Sequence, residues 1–175
     1  MQIRTATPAD AEAIAAAEAD TQRTPGLLVG YPGEIPVDAY RAKIAKLALD
    51  GRYIVAEENG APVGHAFLEP MPMRANAHVF TLTIVVHPGH VERGIGRAML
   101  RDLLDWAQSD TRVGKIELNV RAGNRRARHL YRRSGFVEEA CFHRRVHRLD
   151  GVYEDDIGMA WFPGRWPPAS RSDKL

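Results

Sequence analysis

Two glycines in residues 87–98 could help to bind an anion. The segment reads His-Pro-Gly-His-Val-Glu-Arg-Gly-Ile-Gly-Arg-Ala and lies between a β-branched run and a helical pattern. The first turn of a helix has unpaired N–H groups and a partial positive charge. Gly94 and Gly96 would let a phosphate approach the backbone, and Arg93 and Arg97 would add positive charge. The segment therefore fits a pyrophosphate, although a turn that only packs helix against strand would use the same glycines.

Two better-known phosphate loops do not match this segment. The Walker pattern ends in Gly-Lys-Ser/Thr, whereas Gly96 is followed by Arg97 and Ala98. The dinucleotide fingerprint needs a third glycine three residues after the second, where this chain has Met99. The loop therefore belongs to neither class.

A second group of interest follows the next predicted strand, residues 115–120. Asn124 stands before a helical pattern that carries Tyr131. Asn124 is a good helix cap, and capping alone would explain it. Tyr131 shares an apolar face with Ala127 and Leu130, so core packing is the alternative to a catalytic role. The many arginines of this helix are expected to form a solvated face.

Turn signals and periodicity predict the elements that position these groups. Asn59-Gly60 and Asp150-Gly151 mark two hairpins. Residues 78–86 are β-branched and aromatic and predict a central strand, and the glycines and prolines of residues 19–36 predict a long loop between helices. The predicted order is βα-α-βββ-α-β-α-ββ. Strands that first run in hairpins and then alternate with helices indicate an α/β fold with a mixed sheet and helices on its faces.

Length and composition exclude several classes of protein. The 175 residues fit a single domain over 1–162 with a tail at 163–175, and a net charge of +2 favours neither nucleic acid nor an acidic membrane as partner. Cys141 is the only cysteine, which excludes an intrachain disulfide and suits a reducing compartment. The seven histidines show no metal-ligand spacing with carboxylates, so no metal is expected. We find no targeting signal or membrane-spanning run and expect a cytoplasmic protein.

Taken together, the two motifs resemble the GCN5-related N-acetyltransferase (GNAT) superfamily. The first is a strand ending in Val-His-Pro followed by R-G-I-G-R-A-M-L. The second, about 30 residues later, is L-N-V-R-A-G-N-R-R-A-R-H-L-Y-R-R-S-G-F. The resemblance covers roughly residues 1–162. It implies a mixed sheet of about seven strands with about four helices, and acetyl transfer from acetyl-CoA to an amine.

The resemblance also implies a role for individual residues. The central strand would diverge from its neighbour and bind the pantetheine arm through its backbone, the glycine loop would hold the pyrophosphate, and Tyr131 would protonate the departing thiolate. The implied cofactor-binding residues are Ile84, Val85, Val86, Val91, Glu92, Arg93, Gly94, Ile95, Gly96, Arg97 and Asn124.

Two positions depart from the family pattern. Val91 stands where the family usually has Gln or Arg. Asn119 stands where some relatives have a glutamate general base, and an asparagine cannot accept a proton. The base is therefore unassigned.

The acceptor is expected to be a free amino acid or another small amine. An α-amino group, with a pKa near 7.7–8.0, is far more often neutral at pH 7 than a lysine near 10.4, which suits a site without a strong base. The ending G-V-Y-E-D-D-I-G-M-A also resembles the last hairpin of GNAT members that acetylate such amines. Two alternatives stay open: an acetyltransferase of protein or peptide N-termini, and a non-catalytic acyl-CoA-binding module. The edge strands of the last hairpin are compatible with a homodimer.

Overall fold

The computed structural model of the protein describes residues 1–164. This part of the chain has seven strands and four helices in the predicted order, with two short 3-10 turns. The elements are β1 (Gln2–Thr5), α1 (Ala11–Gln22), α2 (Val37–Asp50), β2 (Arg52–Glu58), β3 (Ala61–Pro70), β4 (Val79–Val86), α3 (Ile95–Ser109), β5 (Lys115–Arg121), α4 (Arg125–Arg133), β6 (Val137–His147) and β7 (Tyr153–Trp161). The predicted tail from residue 165 onward lies outside the described residues.

The seven strands form one mixed sheet in the order β1-β2-β3-β4-β5-β7-β6. Every neighbouring pair is antiparallel except β4 and β5, which run parallel. The β4–β5 pairing covers only Val79 to Thr81, whereas β4 stays paired with β3 as far as Val86. The second half of β4 therefore diverges from β5, as the resemblance implied.

Hydrophobic residues pack on both faces of this sheet. On one face, α3 contributes Ile95, Met99 and Leu103, which are all buried. On the other face, α1 and α2 contribute Ile14 and Ile44 to a second cluster. β4 therefore lies in the middle of the sheet with helices packed on both faces.

One predicted boundary is wrong. The loop expected at 19–36 begins only after Gln22, because α1 continues through residues 19–22. Thr21 and Gln22 are buried, and the Thr21 hydroxyl donates a 2.7 Å hydrogen bond to the carbonyl oxygen of Ala17. Within residues 1–164, no helix combines the length and the apolar character needed to cross a membrane.

Candidate active site

The divergence of β4 from β5 leaves backbone groups of β4 without a strand partner. The N–H of His87 donates to Val63 at 3.0 Å, and the carbonyl oxygen of Val79 accepts from Met71 at 2.9 Å, so odd-numbered residues of β4 direct their polar groups toward β3. Backbone direction alternates along a strand. The N–H and C=O groups of Ile84 and Val86 therefore point into the gap, where a ligand can pair with them.

The glycine loop closes one end of this gap. Gly94 adopts φ 80°, a left-handed conformation that favours glycine, and α3 begins at the next residue. The first backbone bond of the helix runs from the N–H of Ala98 to the carbonyl oxygen of Gly94. The N–H groups of Ile95, Gly96 and Arg97 thus precede the ladder of the helix and are available to an anion.

Gly96 allows the loop to approach the free end of β4. A Cβ atom added at this position would lie 3.4 Å from Cγ2 of Val86, at the short end of van der Waals contact. The first turn of α3 therefore lies directly beside the free end of β4, and the two features form one site.

A single cavity of about 470 Å³ joins these features with α4. Its lining includes all but one of the residues predicted for the site: Ile84, Val85, Val86, Val91, Glu92, Gly94, Ile95, Gly96, Arg97, Asn124 and Tyr131. The side chain of Asn124 accepts a 3.1 Å hydrogen bond from the N–H of Ala127, so it also caps α4. Asn124 can therefore cap α4 and line the cavity at the same time.

Arg93 is the predicted residue that does not line the cavity. Its guanidinium pairs with Glu58 at 2.9 Å and donates to Nδ1 of His90 at 3.1 Å, so the side chain points toward the β2–β3 hairpin. Arg126, which the sequence interpretation left on a solvated face, lines the cavity instead. It lies 3.4 Å from Glu92, and this exposed pair joins the glycine loop to α4.

Tyr131 is buried beside Phe136, with ring centroids 5.5 Å apart. Burial raises the pKa of its hydroxyl to about 12, and the nearby charge of Arg121 opposes that rise. Within residues 1–164 the hydroxyl has no hydrogen-bond partner, although Tyr131 lines the cavity. The hydroxyl is therefore a neutral donor that a ligand can use.

One side of the cavity comes from the end of α1 and the following loop. Thr21, Leu27 and Leu28 line it, as expected for a functional loop. The Tyr31 hydroxyl donates a 3.2 Å hydrogen bond to the carbonyl oxygen of His147, which ties this loop to the last hairpin. The loop that contributes to the lining is therefore anchored to the last hairpin, whose own residues (137–161) do not line the cavity.

The lining contains few groups that could act as a base. Glu92, at the exposed pair with Arg126, is its single carboxylate among the described residues, and His90 and His129 also line it. Asn119 lies exposed on β5 and is not among the lining residues. The geometry thus gives no strong carboxylate base beside the free end of β4.

A buried polar chain, which the sequence interpretation missed, lies at the start of the glycine loop. Nδ1 of His87 is 3.0 Å from the carbonyl oxygen of Pro62, and Nε2 of His87 is 3.0 Å from Nδ1 of His65. A carbonyl can only accept, so His87 donates from Nδ1 and accepts from His65. His65 is completely buried and brings its other nitrogen to 3.3 Å from Glu18. Burial lowers the pKa of His87 to about 4.

Comparison with known proteins agrees with this geometry. The family model described as "Acetyltransferase (GNAT) family" matches residues 20–136. The chain belongs to the GNAT family. The predicted family and fold are confirmed, and the expected enzyme class, an acetyltransferase, is that of the family.

Three relatives illustrate the range of the GNAT family around this chain. N-alpha-acetyltransferase RimI of Mycobacterium tuberculosis is 37% identical over 57% of this chain and 60% of its own length. L-amino acid N-acetyltransferase AaaT of Escherichia coli is 29% identical over 62% of this chain and 67% of its own length. The solved structure of yncA from Salmonella typhimurium with its cofactor acetyl-CoA has a TM-score of 0.87 at 21% identity, covers 98% of both chains and shares the fold.

Proposed function

We propose that this GNAT protein transfers the acetyl group of acetyl-CoA to the α-amino group of a free amino acid or to another small amine. One observation carries the proposal. The unpaired backbone of Ile84 and Val86, the open first turn of α3 and the hydroxyl of Tyr131 all face the same cavity.

The residues of this cavity fit the successive parts of acetyl-CoA. Its pantetheine arm carries amide groups that can pair with the free N–H and C=O groups of β4, in the place of a strand. The pyrophosphate would accept hydrogen bonds from the N–H groups of Ile95 to Arg97 and would meet the charge of Arg97. This arrangement would leave the thioester next to Tyr131.

The transfer itself needs little acid or base strength from the protein. The neutral amine attacks the thioester carbonyl, and the free N–H of Ile84 or Val86 can stabilise the oxyanion that forms. When the C–S bond breaks, the Tyr131 hydroxyl donates a hydrogen bond to the thiolate. The amine proton passes to water or to one of the lining histidines, His90 or His129.

The scarcity of carboxylates favours an amine that is often neutral at pH 7. An α-amino group meets this requirement and a lysine side chain does not. The name of the Escherichia coli relative, an L-amino acid N-acetyltransferase, agrees with a free amino acid. The name of the mycobacterial relative, an N-alpha-acetyltransferase, supports a second candidate, a protein or peptide N-terminus, which carries the same kind of amine.

A thiol-release assay with a matched acceptor panel tests the proposal. The panel contains free amino acids, peptides that begin with the same residues, and spermidine, each with acetyl-CoA. We expect free amino acids to give the highest kcat/KM, with peptides lower by at least about tenfold because a small pocket rejects the extra residues. A preference for peptides would establish the second candidate. Tight binding of acetyl-CoA by calorimetry without turnover on any amine would instead indicate a non-catalytic acyl-CoA-binding module.

Two further predictions concern the cellular location and the oligomeric state of the protein. A cytoplasmic location agrees with the single cysteine and the near-neutral charge. A homodimer would use β6, which is an edge strand of the sheet with most of its residues exposed. Cell fractionation and light scattering test these two predictions.

A further inference from the structure

Three side chains with different metal-binding atoms meet on the last hairpin, away from the cavity. Cys141 and His143 are on β6, and Asp155 is opposite them on β7. The Cys141 sulfur lies 3.8 Å from Nδ1 of His143 and 3.9 Å from Oδ2 of Asp155, and the latter two atoms are 3.0 Å apart. The sulfur and the carboxylate oxygen therefore both lie near the same imidazole nitrogen, Nδ1, and the three atoms converge on one point. A catalytic relay would instead use one imidazole nitrogen for the thiol and the other for the carboxylate.

The backbone of β6 holds this group in place. The pairing of β6 with β7 shifts between Phe142 and Val146, and Arg144 within this bulge has φ 53°. The N–H of Arg144 donates a 2.8 Å hydrogen bond to Oδ1 of Asp155. This bond orients the carboxylate so that Oδ2 faces His143 and Cys141, and together with the His143 contact it lowers the pKa of Asp155.

The triangle of ligand atoms matches a tetrahedral zinc site with one open position. Zn–S bonds of about 2.3 Å and Zn–N and Zn–O bonds of about 2.1 Å at the tetrahedral angle require about 3.6 Å from sulfur to each partner and about 3.4 Å between N and O. The three distances in the protein differ from these values by about 0.4 Å or less. Rotation of the exposed side chains by small angles would close that difference.

We propose that Cys141, His143 and Asp155 form a binding site for a zinc-type divalent cation, with water as the fourth ligand. Thiolate, imidazole and carboxylate together are ligands that Zn²⁺ and Co²⁺ accept, whereas Mg²⁺ and Ca²⁺ prefer oxygen alone. The proposal does not depend on the acetyltransferase activity, because the group does not line the cavity.

Binding requires two proton movements. The Cys141 thiol loses its proton to the buffer as its sulfur bonds to the metal. In the free protein, Nδ1–H of His143 donates to the Asp155 carboxylate. On binding, the proton leaves Nδ1 and Nε2 takes one up, so that the lone pair of Nδ1 can bind the metal. The His143 side chain is 78% exposed, so solvent can hydrate the Nε2–H group. The metal then takes the place of the hydrogen in the contact between imidazole and carboxylate.

Cobalt titration of the full-length, untagged and reduced protein tests the site. Cys141 is the only cysteine of the chain, so a thiolate-to-cobalt charge-transfer band can come from no other residue. We expect such a band to saturate at one equivalent, together with the visible d–d bands of four-coordinate cobalt. Zinc should displace the cobalt, and magnesium should not. The thermal midpoint should rise with zinc.

Three variants separate the site from general cation binding. Cys141→Ser should abolish the charge-transfer band, and His143→Ala should weaken binding at least about tenfold. His147→Gln is the matched control, because it removes an exposed histidine of the same strand and should leave the band and its midpoint unchanged. Circular dichroism of each variant without metal establishes that the hairpin is intact.

Two results would overturn the proposal. The first is a wild-type protein without a thiolate–cobalt band in excess cobalt. The second is a band that persists unchanged in folded His143→Ala, which would mean that the thiol binds cobalt without the neighbouring imidazole.

Discussion

Replacing Tyr131 with phenylalanine tests how the leaving thiolate is stabilised. With the hydroxyl pKa at about 12 and a thiol pKa near 8.5, complete proton transfer from Tyr131 would be uphill by about 5 kcal/mol. A hydrogen bond to a charged group contributes about 1.5–3 kcal/mol. At about 1.4 kcal/mol per factor of ten, loss of this bond lowers kcat roughly ten- to hundredfold. The phenyl ring keeps its packing against Phe136, so stability should change little.

Steady-state thiol release with the best acceptor gives kcat and the KM for acetyl-CoA. We expect kcat of Tyr131→Phe to fall while the KM for acetyl-CoA changes less than about threefold, because the hydroxyl acts on a charge that develops during reaction. The raised pKa adds a second expectation. The wild-type kcat should not fall between pH 9 and about pH 11, since the phenol stays protonated over that range.

Two results would contradict this role for Tyr131. Unchanged kcat in the variant would remove the hydroxyl from the reaction. A kcat that declines with an apparent pKa near 10 in the wild type but not in Tyr131→Phe would mean that the phenol ionises as it does in water, so that burial does not control it.

Five other variants probe the glycine loop and the residues that support it. Gly94→Ala and Gly89→Ala impose similar strain, at φ 80° and 79°, and should lose similar stability, but only Gly94→Ala should raise the KM for acetyl-CoA, since Gly89 is outside the cavity lining. Arg97→Ala should raise that KM several-fold and reduce its salt dependence, whereas Arg93→Ala should leave it within about twofold because Arg93 faces Glu58. The pKa of His87 is lowered to about 4 from its ordinary 6.5, so the neutral imidazole stabilises the fold fully above pH 6.5. The free energy of unfolding, measured with urea, should fall by about 3 kcal/mol as the pH drops from 6.5 toward 4. His87→Gln should remove this pH dependence.

The local pattern of the sequence was sufficient to predict the helices and strands and most of the residues that line the cavity. The β-branched run that forms β4, the glycines before α3 and the position of Tyr131 on α4 are set within a few residues, and the order of elements determines the sheet. The extra turn of α1 was missed because the glycine- and proline-rich segment after it obscured where the helix ends.

The features that the sequence did not predict depend on contacts between distant segments. The direction of the Arg93 side chain depends on Glu58, 35 residues earlier in the chain, and no local pattern shows that pairing. The same holds for the contact of His65 with His87, and for the approach of Asp155 to Cys141 across two strands. Long side chains and polar chains of this kind take their direction from tertiary partners, so sequence spacing alone indicates their presence without their geometry.

The divergence of β4 from β5 is the feature that most directly links fold to function. Buried backbone groups without a partner cost about 1–3 kcal/mol each, so a protein keeps such groups only where water or a ligand satisfies them. Two more rungs of the β4–β5 ladder, at Ile84 and Val86, would satisfy them but would close the cavity. The two strands instead diverge, and the open turn of α3 and the Tyr131 hydroxyl lie at the same gap. An amide-bearing, phosphorylated thioester satisfies all three features at once, which a nucleotide alone does not.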